Sequence, residues 1–315
     1  MSFFILKEGD FMEKYDLHIH SKFSDGDYTL QEIVEKLKEN GITIFSITDH
    51  DNAKSILEME KVDKKGLTYI SGIEFSSSKG KYKMHILGYG IDGHNEQLLQ
   101  TCKEMKIRKN IRNLEIIQQL REKYKIEITK EETLKLLQSE SFVGQTTIAR
   151  LLVQKGIIPN VRYAFDNYFP NLDLKTEATI DLDKAIQVIH NAGGVAVLAH
   201  PVTIERNYKV NIEDIFEIFT QAGIDGIEVF NSKHTLSDIK RYYKLAQKEG
   251  LLISGGSDYH GEIMKPHVKL GKISKDQTEE KEHYCMTVIP LCISKKKMLS
   301  EIEQQNKEEK EDIEL

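Results

Sequence analysis

Six short apolar segments spread over residues 15–260 each carry or run into a histidine or a carboxylate. They occupy residues 15–20, 42–50, 67–74, 83–89, 195–200 and 251–260, and they present His18, His20, His50, Glu74, His85, His200, Asp258 and His260. Burying such a group without a partner costs about 2 kcal/mol or more. A folded chain can therefore shelter this pattern only by bringing the segments together, so that the polar groups satisfy one another or share cations. In a strand alternate side chains share a face, so His18 and His20 point the same way, and Asp258 and His260 repeat that spacing.

The stretches between the polar termini show how they can meet. Apolar runs at 15–20, 42–48, 67–73, 83–89, 195–200, 226–230 and 251–255 alternate with helical patterns at 29–40, 53–64, 181–191, 212–222 and 236–249, the signature of a parallel α/β fold. Thr29 is a plausible N-cap for the first helix, and Gly41 stands just past its end. From 95 to about 176 the alternation stops and the chain reads as helices, at 95–123, 130–139, 145–154 and 161–167. The pattern predicts a seven-stranded (β/α) barrel interrupted once by an all-helical insertion. The expected units are a barrel at 14–92 and 179–275, an insertion or lid at 93–178, an N-terminal extension at 1–13 and a charged tail at 276–315. Met12 offers a second start just ahead of the first strand.

Composition narrows the classes of function. No apolar run approaches the ~20 residues of a membrane helix, and no secretory leader is legible, so the expected location is cytoplasmic with no membrane partner. Cys102, Cys285 and Cys292 make neither a disulfide framework nor a zinc motif. A net charge of −6 argues against indiscriminate binding of long nucleic acids. No obligate protein partner is evident.

Adding Asp25, from the loop after the first strand, gives nine oxygen and nitrogen donors: His18, His20, Asp25, His50, Glu74, His85, His200, Asp258 and His260. Such a set, with no thiolate, suits two or three divalent ions, manganese, iron or zinc, better than a structural zinc. Closely spaced divalent ions supply hydroxide from a bridging water and hold phosphate oxygens, so no protein nucleophile is needed. Phosphoester hydrolysis is the expected chemistry, with amide hydrolysis or deamination as the alternative.

Tyr15-Asp16-Leu17-His18-Ile19-His20, Ser24-Asp25-Gly26, Ile47-Thr48-Asp49-His50-Asp51, Gly72-Ile73-Glu74, His85, Ala199-His200-Pro201 and Gly256-Ser257-Asp258-Tyr259-His260-Gly261 closely resemble the motifs of the PHP (polymerase and histidinol phosphatase) superfamily. The resemblance implies a distorted seven-stranded (β/α) barrel with a trinuclear metal centre. One ion would take His18, His20, Glu74 and Asp258; a second Glu74, His85 and His200; a third Asp25, His50 and His260. The chain is most similar to the TrpH/YciV-like branch, whose members act as 3′,5′-nucleoside bisphosphate phosphatases or 5′→3′ exoribonucleases on short RNA. That implies a nucleotide or short oligonucleotide substrate, with histidinol-phosphate phosphatase or a non-catalytic PHP scaffold as alternatives. In the segment Gly144-Gln145-Thr146-Thr147-Ile148-Ala149-Arg150, Arg150 would bind phosphate, although Gln145-Thr146-Thr147 replaces the branch's usual Arg-Pro-His. His234, after the sixth strand, is a candidate substrate contact or acid. Lys103, Lys106, Lys109 and Arg112 form a basic stripe on the long helix that could track an RNA backbone, and Tyr163, Phe165, Tyr168 and Phe169 are candidates to stack on a base.

Overall fold

The computed structural model describes residues 14–138 and 143–275. The expected N-terminal extension, charged tail, Cys285 and Cys292 lie outside them. Strand β1 (Lys14–Ile19) leads to α1 (Leu30–Glu39), β2 (Ile42–Ile47), α2 (Lys54–Met59), β3 (Thr68–Lys79) and β4 (Tyr82–Tyr89). Four helices follow: α3 (Glu96–Tyr124), α4 (Lys130–Gln138), α5 (Gln145–Gln154) and α6 (Val161–Asn167). The chain then returns to the sheet through β5 (Ile180–Asp181), α7 (Leu182–Asn191), β6 (Val195–Leu198), α8 (Val202–Tyr208), α9 (Glu217–Gln221), β7 (Gly226–Asn231), α10 (Leu236–Glu249) and β8 (Leu252–Gly256).

Local chemistry explains the firmest boundaries. At α1, Thr29 accepts from the backbone of Glu32 while the Glu32 carboxylate accepts from Thr29, a reciprocal cap. Leu30, Ile33, Val34 and Leu37 fall on one buried stripe. Thr235 and Asp238 make the same cap on α10, and Gly250 ends that helix at φ +67°.

The eight strands form one sheet in the order β1-β2-β3-β4-β6-β7-β8, with short β5 beside β3. It is mixed, which corrects the expectation of a parallel fold. Strand β4 runs antiparallel to both β3 and β6. The cause is covalent: only Gly80 and Lys81 separate β3 from β4, and a connection that short admits a hairpin but no parallel crossover. The reversal puts the first half of β4, which carries His85, level with the C-terminal ends of the parallel strands.

At the far edges, the His20 amide donates to the Tyr259 carbonyl (2.9 Å), linking the end of β1 to the segment after β8. Gly256 is required there, because a Cβ would overlap the backbone of His18.

Of the four apolar clusters among the described residues, two matter for how the helical segment sits. The larger packs Phe75, Ile86, Leu182, Ile189, Phe219 and Tyr242 among sheet and helices; the smaller joins Ile116, Leu120, Ile148, Leu152 and Phe169 within the helical segment. Helix α3 spans both, giving Leu98, Cys102 and Met105 to the first and Ile116, Ile117 and Leu120 to the second.

Candidate metal centre

The strand ends deliver their polar side chains to one buried point. Glu74, wholly shielded from solvent, is its hub. Its Oε2 lies 3.3 Å from His18 Nε2, 3.2 Å from His20 Nε2 and 3.1 Å from His50 Nδ1. Its Oε1 lies 2.9 Å from His85 Nδ1 and 3.0 Å from His200 Nε2. Asp258 Oδ1 stands 3.5 Å from His18 Nε2 and 3.4 Å from His20 Nε2. Asp25 Oδ1 sits 3.2 Å from His260 Nε2 and 3.8 Å from His20 Nδ1. All nine side chains singled out in the sequence therefore meet.

Three overlapping sets have donor atoms within 4.8 Å of one another: His18, His20, Glu74 and Asp258; His20, Asp25, His50 and His260; and His50, Glu74 and His85. His18 Nε2, His20 Nε2, Asp25 Oδ1 and Glu74 Oε2 are buried without a hydrogen-bond partner, yet all point into this cluster. Lone pairs left over at the centre of a ring of imidazoles and carboxylates fit divalent cations, which satisfy such atoms without protons.

Electrostatics agree with that fit. Burial would raise the Glu74 carboxyl, but His18, His50 and His85 hold it well below the usual range. Burial is likewise outweighed at Asp258 by Lys233 and Lys265, and at Asp25 by His260 and His50. Burial would depress His20, yet the nearby carboxylates of Asp258 and Glu74 lift it to about 9. His18 is raised well above its ordinary value, because Glu228, Glu74 and Asp258 overcome burial. Burial and nearby Lys233 pull His200 down to about 4. Three residues at the mouth, Asp51 (φ +48°), His200 (φ +24°) and Asp258 (φ +57°), hold left-handed backbone, strain of order 1–3 kcal/mol each that functional sites retain.

A supporting layer surrounds these side chains, and Glu228, Lys233 and Lys265 in it were not singled out in the sequence. Glu228, fully buried in β7, accepts from His18 Nδ1 (2.9 Å) on one oxygen and from the His200 amide (2.7 Å) on the other. Its signal was a lone carboxylate inside the apolar run Gly226-Ile227-Glu228-Val229-Phe230. Asp49 accepts from the Ser21 amide (2.8 Å) and hydroxyl (2.6 Å), fixing the loop that carries Asp25. Lys233 (2.7 Å) and Lys265 (2.8 Å) both reach Asp258 Oδ2. Buried Lys109 pairs with Asp51 and donates to Ser76 Oγ (3.1 Å), tying α3 to the mouth.

Two expectations for substrate contacts meet a different arrangement. The Arg150 guanidinium donates to the Asp25 carbonyl and to Asp27 Oδ1, both at 2.7 Å, so it holds the ligand loop instead of facing the opening. His234 is fully buried, bonded to the Val229 carbonyl (2.8 Å) and set edge-on to Tyr242. Lys233 is the side chain that reaches the cluster from this turn. The basic stripe also divides: Lys109 is buried, Arg112 donates to the Thr176 carbonyl (2.6 Å), and Lys103 and Lys106 stay outside. Of the four aromatics, Phe165 lines the opening, whereas Phe169 and Tyr168 pack into the helical core.

Comparison with known proteins adds to the geometry. The family profile described as the PHP domain matches residues 16–193, more than half of the chain. The chain belongs to the PHP family. The match includes His18, His20, Asp25, His50, Glu74 and His85 and ends before the remaining three side chains. The chain is similar to a 3′,5′-nucleoside bisphosphate phosphatase of Chromobacterium violaceum, 29% identical over 79% of this chain and 88% of that protein. It is similar to a phosphoribosyl 1,2-cyclic phosphate 1,2-diphosphodiesterase of Eggerthella lenta, 29% identical over 80% and 97%. A 5′-3′ exoribonuclease of Haemophilus influenzae is 31% identical over 79% and 90%. Among solved structures, one described as a metal-dependent phosphoesterase from Bifidobacterium adolescentis superposes with a TM-score of 0.74 at 26% identity, covering 83% of this chain and 92% of that one. The chain is thus a PHP-type, metal-dependent phosphoester hydrolase.

Proposed function

We propose that this hydrolase acts on nucleotides, removing the 3′-phosphate of nucleoside 3′,5′-bisphosphates or releasing 5′-nucleotides from short 5′-phosphorylated RNA. The observation that carries the reading is a cavity of about 330 Å³ between the cluster and the helical segment. Asp25, His50 and His85 form one wall; Lys83, Arg112 and the Phe165 ring form part of the others. Cations for phosphate, a ring for a base and a hydrolytic cluster within one cavity suit a nucleotide. In this reading the sheet curls into a seven-stranded barrel, residues 14–92 and 179–275, with residues 93–178 as its lid. Support comes from the bond across its edges and from one apolar cluster that joins Leu17, Ile44, Leu87 and Val197 of four strands.

The nine side chains would hold two or three divalent cations, manganese by preference and iron or zinc as alternatives. Bound there, these would lower the pKa of a shared water and neutralise phosphoryl oxygens. The chain supplies the rest. Glu228 keeps the His18 proton on Nδ1, so Nε2 presents a lone pair to the cluster. The ammonium groups of Lys233 and Lys265 balance Asp258 at the rim, where phosphate oxygens arrive. Phe165 orients the base, and Arg112 and Lys83 receive the second phosphate.

Manganese-loaded protein should give its highest kcat/KM on adenosine 3′,5′-bisphosphate or 5′-phosphorylated trinucleotide RNA, and little on histidinol phosphate. Asp258→Asn should lose most of that turnover, since the cluster loses a charged donor. A preference for histidinol phosphate, or wild-type rates in Asp258→Asn at full metal content, would overturn the reading. Absence of bound metal altogether would favour a scaffold.

A further inference from the structure

A second cavity, of about 370 Å³, opens between α2 and the first half of α3, on the other side of Lys109 from the first. Lys109 lines both, and its ammonium is held by Asp51, the residue after His50. Leu57, Leu99 and Cys102 give this cavity an apolar floor, while Lys54, Lys103 and Lys106 stand on its rim. Among the described residues no carboxylate pairs with Lys103 or Lys106. Of the two acidic side chains that line it, Asp51 is paired with Lys109 and Glu58 is bonded to Lys61 at 2.9 Å. An apolar slot edged by ammonium groups meets the two halves of a nucleotide, a flat base and a phosphate.

We infer that this cavity is a second nucleotide subsite, taking the base and phosphate of the residue on the 3′ side of the bond being hydrolysed in a short oligonucleotide. The inference rests on the nucleotide reading above and deepens it. With the 5′-terminal nucleotide in the first cavity, the next one would pass Lys109, which lines both cavities, and α3 would lead it to Lys106 and then Lys103. A nucleoside bisphosphate ends at the first cavity and never reaches these lysines. The structure thereby separates two substrate lengths: the first cavity serves both, the second only oligonucleotides.

The test is a charge reversal on an exposed surface remote from every proposed metal donor, Lys103→Glu with Lys106→Glu, assayed with manganese on adenosine 3′,5′-bisphosphate and on 5′-phosphorylated trinucleotide RNA. Activity on the bisphosphate should stay within about twofold, reporting an intact fold. The kcat/KM for the trinucleotide should fall about tenfold or more and depend less steeply on salt, because lysine–phosphate contacts act by releasing counterions. Lys103→Ala with Lys106→Ala should give the same pattern in weaker form. Equal loss on both substrates, no loss on either, or wild-type protein that cleaves the bisphosphate but no oligonucleotide would each overturn the subsite while leaving the nucleotide reading intact. Wild-type protein inactive on both would remove that reading, and the subsite with it.

Discussion

Glu228→Gln changes no shape and removes one charge, yet the structure leaves the amide no comfortable orientation. Both oxygens of Glu228 are fully buried acceptors: Oε1 takes the His18 ring N–H at 2.9 Å and Oε2 takes the His200 amide at 2.7 Å. A glutamine has one acceptor. With its oxygen on the His200 amide, its NH₂ faces His18 Nδ1, which then sheds its hydrogen and places it on Nε2, the atom 3.3 Å from Glu74 and 3.5 Å from Asp258. That hydrogen occupies the lone pair a cation would use. With the amide reversed, the buried His200 N–H is left facing another donor. A buried donor without an acceptor costs about 1–3 kcal/mol, and partners behind a metal-binding histidine are typically worth roughly 10–100-fold in affinity or activity. Manganese affinity, measured calorimetrically on EDTA-stripped protein, should weaken by about one to two orders of magnitude. Turnover at saturating manganese should recover part of the loss. Affinity within about twofold of wild type would refute the orienting role of Glu228.

Two further outcomes follow from the geometry. In the metal-free protein His18 and His20 are raised, His20 from 6.5 to about 9, so their pairing adds stability that is complete below pH 6.5 and is lost as pH rises through about 9; melting temperature in EDTA should fall across that window, whereas manganese affinity should climb because each bound ion displaces protons, and a flat profile of both would contradict the assignment. Gly256→Ala should destabilise the metal-free protein by roughly 1–3 kcal/mol, since its methyl group overlaps the His18 backbone; an unchanged melting temperature would mean that β8 and β1 do not approach so closely.

The donors were legible because their chemistry is incompatible with scattered burial. A carboxylate or imidazole at the end of an apolar run has few stable places to go, and the alternation in His18-Ile19-His20 already fixed a common face. Element boundaries followed where the side chains act locally, as with the Thr29 and Thr235 caps. What escaped the sequence depends on contacts distant along the chain. Direction in the sheet was misjudged at β4, although the Gly80-Lys81 connection was too short for a crossover and could have revealed the hairpin. Helix α8 (Val202–Tyr208) went unseen behind Pro201, and the helix expected over 212–222 is split into a 3₁₀ turn at Ile212–Ile215 and α9. Arg150 and His234 have the right chemistry for a phosphate, but which neighbour a side chain meets is a tertiary fact: Asp27 lies 123 residues from Arg150, and the floor beneath His234 is Tyr242 of the next helix.

Charge balance links the buried cluster to its substrate. Asp27 is neutralised by Arg150 and Asp51 by Lys109. Buried Asp49 is held by the hydroxyls of Ser21 and Ser24, while Asp25, Glu74, Glu228 and Asp258 face the ammonium groups of Lys233 and Lys265 and the rings of His18 and His20, whose pKa values nearby carboxylates raise. Acid and base in direct contact offset one another, which is how so many ionisable groups tolerate burial together. Divalent ions that displaced histidine protons would add positive charge to the cluster, and the oxygens of a phosphate ester would offset it. A neutral substrate would offer no such charge. The side chains that let the cluster stay buried would thus also favour an anionic substrate once cations are bound.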